Sequence, residues 1–186
     1  MAANGKVRQS YYEGLEYYCP LVRRCPNVQN NPQLKRERVL SARNQFRGTV
    51  TKIQEGDVVG QVLVDIGCGN LMSSIITTAS IRELGIKVCS KVTAIVKSTS
   101  VTIMTPMSEM MAKEKSTGRT FSARNQFKGR VVKIQEGDVV GQVVVDIGCG
   151  NLMSSIITTA SIRELGIRIG SEVIAIAKST DVTIML

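Results

Sequence analysis

SARNQFRGTVTKIQEGDVVGQVLVDIGCGNLMSSIITTASIRELGIKVCSKVTAIVKSTSVTIM, residues Ser41–Met104, decides the fold, because the chain carries it twice. At an offset of 81 it recurs without gaps as Ser122–Met185, with 11 differences in 64 positions. Two copies are too few for a solenoid, but 64 residues suffice for a small domain. A domain of that size buries only about 60% of the surface its unfolded chain exposes, so each copy is expected to lean on the other or on further chains.

Within one copy the pattern is strand-like. Gln45–Gln54 alternates, Gly56-Asp57 marks a turn, and Gly60–Ile66 is apolar and β-branched. Gly67-Cys68-Gly69-Asn70 is a tight connection, after which Leu71–Ile76 returns as a strand. The period then changes. In TTASIRELG, Thr77–Gly85, a Thr caps a short predicted helix, Ile81 and Leu84 share one face, and Gly85 stops it. Lys91–Lys97 and Ser100–Met104 follow as two strands expected to close the module. Five short strands with one helix after the third predict a mainly β fold of two OB-like five-stranded barrels.

The chain thus divides into an N-terminal extension (1–40), a first barrel (41–104), a linker (105–121) and a second barrel (122–186). The extension holds all four Tyr, three of the four Pro and the basic run Lys35-Arg36-Glu37-Arg38, and is expected to be poorly ordered. The linker has a short helical pattern stopped by Gly118, and a fresh start at Met107 suits a fusion of two single-module chains. Of the net charge of +9, +4 sits in the extension, +3 in the first repeat and +1 each in the linker and second repeat. A nucleic-acid platform would carry its basic residues on each barrel instead.

Several function classes are disfavoured by composition. The chain has no His, which removes the commonest general acid/base and metal ligand. Its five Cys show no CxxC spacing, so a zinc site is not expected and the thiols are expected to be reduced. Gly67-Cys68-Gly69 lacks the third Gly of a dinucleotide loop, and Glu55 and Asp57 flank a turn Gly and read as solvated. No apolar run approaches the roughly 18–20 residues of a membrane span. The polar opening residues lack the apolar core of a signal peptide, which makes the cytoplasm the expected location. An enzyme is the least expected class.

Cations and hydroxyls gather in three places in each copy. Ser41-Ala42-Arg43-Asn44 matches Ser122-Ala123-Arg124-Asn125. Lys97-Ser98-Thr99 matches Lys178-Ser179-Thr180, and between them Thr77, Thr78 and Ser80 match Thr158, Thr159 and Ser161 at the start of the helix. A tetrahedral dianion offers four acceptor oxygens and no donors, so hydroxyls and amides suit its oxygens while Arg and Lys offset its charge. Taken singly, each Ser or Thr is more commonly a cap or turn residue. Near-identical copies share everything, so recurrence alone adds little.

SARNQF, NLMSSIITTASIRELGI and AIVKST together resemble the Mop domain of the TOBE superfamily, and two in tandem look like the di-Mop molbindins, cytoplasmic molybdate-binding proteins. The resemblance covers both repeats. It implies OB-like barrels assembled into homo-oligomeric rings (trimers for tandem forms), with oxyanion sites between modules. Molybdate, with tungstate as its analogue, is the ligand it implies, for storage or homeostasis; no metal ligated directly by side chains, no organic cofactor and no membrane partner is expected. Carried over by position, the site is Ser41, Arg43, Thr77, Ser80, Lys97 and Ser98, with Ser122, Arg124, Thr158, Ser161, Lys178 and Ser179. Asp181 stands where the first copy has Ser100, three residues after Lys178, and is expected to weaken the second site if it faces the anion. Two alternatives stay open: nucleic-acid binding through the basic, Tyr-rich extension, and a regulatory TOBE module of a molybdate transport or sensing system.

Overall fold

The computed structural model describes residues 40–106 and 121–186. The extension up to residue 39 and the linker helix expected before Gly118 lie outside the described residues. The first repeat folds as β1 (Asn44–Glu55), β2 (Val59–Asp65), β3 (Leu71–Thr77), α1 (Thr78–Glu83), β4 (Lys91–Val96), a 3-10 turn (Ser98–Ser100) and β5 (Val101–Met104). The second gives β6 (Asn125–Glu136), β7 (Val140–Asp146), β8 (Leu152–Thr158), α2 (Thr159–Glu164), β9 (Glu172–Ala177), a 3-10 turn (Ser179–Asp181) and β10 (Val182–Met185). The strands and helix expected from the repeat are found within one or two residues of their expected ends.

Period-2 alternation sets the inward faces. On β2, Gly60, Val62 and Val64 point inward, and the Ile81 side chain of α1 lies over Gly60. A Cβ at Gly60 would stand 2.5 Å from Ile81 Cδ1, so any larger residue there would push the Ile81 side chain aside. On β1, a bulge between Val50 and Lys52 bends the strand around the barrel. Phe46, Val50, Val62, Val64, Met72 and Ile81 are almost fully buried, and their equivalents fill the second core. The cores are built from aliphatics and Met around one Phe each, as the near absence of aromatics requires.

The fifth strand does not close its own module, contrary to the expectation from the repeat. The sheets run β10-β4-β1-β2-β3 and β5-β9-β6-β7-β8. β10 pairs antiparallel with β4, Val182 opposite Val96, while β5 pairs with β9, Val101 opposite Ala177. The two copies therefore exchange their last strands. The reason is local. Both strands read VTIM, so either barrel accepts either strand. Lys97 and Lys178 are extended before the 3-10 turns, and Val101 and Val182 are extended after them, which carries the chain across to its neighbour. Each barrel is closed at its other edge by the same borrowed strand, as Ser74 Oγ donates to Val182 O at 2.6 Å. Ser155 Oγ does the same to Val101 O.

The exchange relates the copies by a local pseudo-twofold, and a residue near such an axis meets its own equivalent. The two GCGN turns do so. Asn70 Nδ2 donates to Ile147 O and Asn151 Nδ2 to Ile66 O, both at 2.8 Å. Cys68 and Cys149 are joined in a disulfide, with their Cα atoms 5.6 Å apart. This corrects the expectation of reduced thiols for these two residues, and Cys89 is disulfide-bonded as well. Sequence spacing gives no hint of the pairing, because it arises only once the pseudo-twofold is known. The flanking glycines, and both cysteines at φ 54° and 55°, adopt the left-handed backbone that makes the turn tight.

Candidate functional site

The site is best built from Asn44. It is in phase with Phe46 and Val50 on the buried face of β1, so an amide arrives where an apolar side chain is expected. A buried amide needs partners. Asn44 finds them in the other repeat: Nδ2 donates to Ser154 O at 2.8 Å, and Oδ1 accepts from Ser154 N at 2.7 Å. Asn125 makes the same pair with Ser73, at 2.9 and 2.7 Å. β3 and β8 are the last strands in the order of their sheets, so each asparagine pairs backbone groups on an edge strand. A seam between barrels results, and it is made twice.

The cations gather at these seams. Asn44 is opposite Val96 in the β1–β4 ladder, so the chain one residue further out carries Arg43 and Lys97 at adjacent strand ends. Both are exposed. Ser98 follows Lys97 into the 3-10 turn and is buried, 9% exposed. Its hydroxyl oxygen has no hydrogen-bond partner. A buried hydroxyl without a partner is costly, on the order of 1–3 kcal/mol, and an anion oxygen would relieve that cost. At the second seam, Asn125 opposite Ala177 brings out Arg124 and Lys178 likewise. There Ser179 Oγ donates to Ser73 Oγ at 3.1 Å, and Ser73 Oγ also accepts from Gln61 Nε2 at 2.7 Å.

The expected site residues therefore fall into two groups. Arg43, Lys97 and Ser98 stand at one seam, and Arg124, Lys178 and Ser179 at the other. Ser41 and Ser122 are exposed, two residues before their arginines. Thr77 and Ser80 are engaged locally. Thr77 caps α1 by accepting from Ser80 N at 3.1 Å, and the two hydroxyls share a hydrogen bond of 2.7 Å. Thr158 and Ser161 repeat this. The helices are only six residues long. Thr78 and Thr159 are buried and donate to Gly56 O and Gly137 O, so they serve the fold. Glu55 is exposed, as expected, and accepts from Arg82 at 2.9 Å, as Glu136 does from Arg163 at 3.0 Å. Sequence reading missed the role of Asn44, Ser73 and their equivalents. The available signal was an amide on the apolar face of β1.

Residues 40–103 and 122–184 match the TOBE domain family. The chain belongs to that family, and carries the domain in tandem. It is 48% identical over 66 residues to molybdenum-pterin-binding protein 2 of Clostridium pasteurianum, covering 36% of this chain and 97% of that protein. It is 34% identical over 142 residues to the molybdenum transport protein ModE of Azotobacter vinelandii, covering 76% of this chain and 49% of that one. The chain spans about half the length of the ModE relatives it matches. Among solved structures it is similar to the cytoplasmic molybdate-binding protein ModG with molybdate bound, at a TM-score of 0.72 and 32% identity, covering 80% of this chain and 99% of that one. The fold class, two OB-like five-stranded barrels in tandem, is thus reached both from the strands and from the relatives.

Proposed function

We propose that the chain binds molybdate, with tungstate as its analogue, for intracellular storage or homeostasis rather than catalysing a reaction. The observation that carries this reading is the seam arrangement: Arg43 and Lys97 emerge together beside the buried, unpartnered hydroxyl of Ser98. Two cations and a waiting donor suit a tetrahedral dianion. The likeness to ModG and to the molybdenum-pterin-binding proteins supports molybdate as the anion. The cytoplasm is the proposed location, in line with ModG; no described helix is long and apolar enough to cross a membrane.

A homotrimer is the proposed assembly. Val58 and Val59 are 74% and 51% exposed beside the helix start, where Thr78 N donates to Val58 O. Val139 and Val140 repeat the patch. Apolar side chains exposed around Thr77 and Ser80 suit burial against another subunit, whose cations would then complete a site with these hydroxyls. The nucleic-acid reading rests on the extension, which lies outside the described residues, and the barrels add nothing to it. Phe46 and Phe127, the repeats' two aromatic residues, are 1% exposed, so the repeats offer bases no stacking surface.

Calorimetry with molybdate, tungstate and sulfate tests the proposal, alongside light scattering for mass. The expected result is low-micromolar or tighter uptake of molybdate and tungstate, weaker binding of the smaller sulfate, and a mass of three chains. Absence of molybdate uptake, or a preference for sulfate, would overturn it.

A further inference from the structure

We propose that the Cys68–Cys149 disulfide is a reducible clasp, opened by a small thiol of the glutathione kind, and that opening it loosens both seams and with them the grip on the anion. Only the step to the anion rests on the oxyanion reading above. The bond ties the β2–β3 turn to the β7–β8 turn. Five residues on from Cys68, Ser73 N donates to Asn125 Oδ1 at 2.7 Å, and next to it Ser74 Oγ donates to Val182 O of the borrowed strand. Cys149 stands in the same relation to Ser154, which meets Asn44, and to Ser155, which meets Val101. Both edge strands of the seams therefore leave from the two turns that the disulfide joins.

Cysteine is out of place in these turns. Asn70 N donates to Gly67 O at 2.9 Å, and the two residues between, Cys68 and Gly69, have φ of 54° and 72°. Asn-Gly or Asp-Gly ordinarily fills a hairpin turn with two positive φ angles, since other side chains are disfavoured there. Cys89 makes the same case on its own. It has φ 72° where the second copy has Gly170 at 91°, and it is disulfide-bonded. Cysteine is thus disfavoured by the backbone at these positions and favoured by the bond it makes. An exposed bond under that backbone cost belongs to the labile kind. Cys68 is exposed and Cys149 half-buried, so the attack falls on Cys68. A thiolate bonds to Cys68 Sγ, the S–S bond breaks, and Cys149 leaves as a thiolate and takes up a proton. A second thiol resolves the mixed disulfide and frees Cys68, so two electrons pass to the cysteines and the reductant leaves as its own disulfide. The hairpins survive this. Gly67 N still donates to Asp65 Oδ1 at 2.7 Å and Gly148 N to Asp146 Oδ1 at 2.8 Å, and the exchanged strands stay paired. What is lost is the tie between the copies.

The experiment holds the full chain, without denaturant, in a glutathione buffer at cytosolic poise. Alkylation with peptide mass reads the cysteines, and amide exchange by NMR reads the seams. Cys68 and Cys149 should become alkylated while the chain stays folded. The Ser73 and Ser154 amides, which donate across the seams, should exchange roughly tenfold faster, with β1 and β4 little changed. The Cys68→Ser/Cys149→Ser pair should exchange fast without reductant and respond no further to it. Cys89→Gly takes the residue of the second copy and should keep the wild-type response. A bond that opens only in denaturant, unchanged Ser73 and Ser154 exchange on reduction, or a response lost in Cys89→Gly would overturn the clasp. Reduction of wild type decides this even if the serine pair fails to fold. Calorimetry with sodium molybdate then tests the step to the anion: the serine pair should bind several-fold more weakly than oxidised wild type, and equal binding would overturn that step. No binding by oxidised wild type would overturn the oxyanion reading and that step, while the exchange result still decides the clasp.

Discussion

The sheet ladders of the two barrels have diverged, while the seam between them has changed less. Most of the 11 differences lie on β1, β2, β4 and the loop into β4. Thr51, whose hydroxyl donates to Leu63 O at 3.2 Å, becomes Val132. Thr49 and Lys91, cross-strand partners joined at 2.7 Å, become Arg130 and Glu172, joined at 3.1 Å. By contrast, Asn44, Asn70, Ser73, Ser74 and Cys68 are the same in both copies. Thr93/Ile174, Val96/Ala177 and Ser100/Asp181 are the positions that vary beside the exchanged strands. A ladder position within one barrel tolerates any complementary pair. A seam where each asparagine must match a backbone N–H and C=O of the other copy tolerates far less, because one missing partner leaves a buried polar group unpaired.

The largest effect should come from removing Val182–Leu186. If each barrel closed on itself, this deletion would open the second barrel. With β10 paired to β4, it should open the first. Hydrogen exchange is expected to show lost protection in β3 and β4, with β6–β9 still protected beside β5. Loss of protection confined to β8 and β9 would refute the exchange of strands.

A smaller, symmetrical effect is expected at the seam. Asn44→Ala removes two buried hydrogen bonds and strands the Ser154 backbone groups, at a cost of about 2–4 kcal/mol. Asn125→Ala should cost the same within error, because its geometry with Ser73 is equivalent. Urea denaturation measures both. A clear inequality would mean that the two seams are mechanically different.

The sequence made the barrel legible because its signals were local. Alternation on Gly60–Ile66, the glycines at the turns and the Thr cap at Thr77 each act within a few residues. What it hid was whatever depends on the second copy. VTIM occurs twice, so no pattern could say which barrel takes which strand. The Cys68–Cys149 bond exists only because the exchange sets two identical turns face to face. The candidate site was half legible for the same reason. Arg43 and Lys97 are brought together by the register of one ladder, which alternation implies. That Ser98 packs under the seam, while Thr77 and Ser80 face outward, depends on tertiary placement.

The smallest expected effect lies on the diverged face, and there the comparison can be sharpened. Arg130 and Glu172 are 63% and 72% exposed in their side chains, so their ion pair is screened by solvent and worth about 0.2–1 kcal/mol. Glu172→Lys alone sets two cations opposite each other and should destabilise by no more than about 1 kcal/mol. Adding Arg130→Thr recreates the Thr49–Lys91 pair of the first repeat and should recover the loss. The coupling read from this double-mutant cycle should shrink as salt is raised, since the charges are exposed. A coupling that persists in high salt would mean that the pair acts through packing rather than charge. The diverged face would then be under the same kind of constraint as the seam, and the contrast between the two regions would narrow to one of degree.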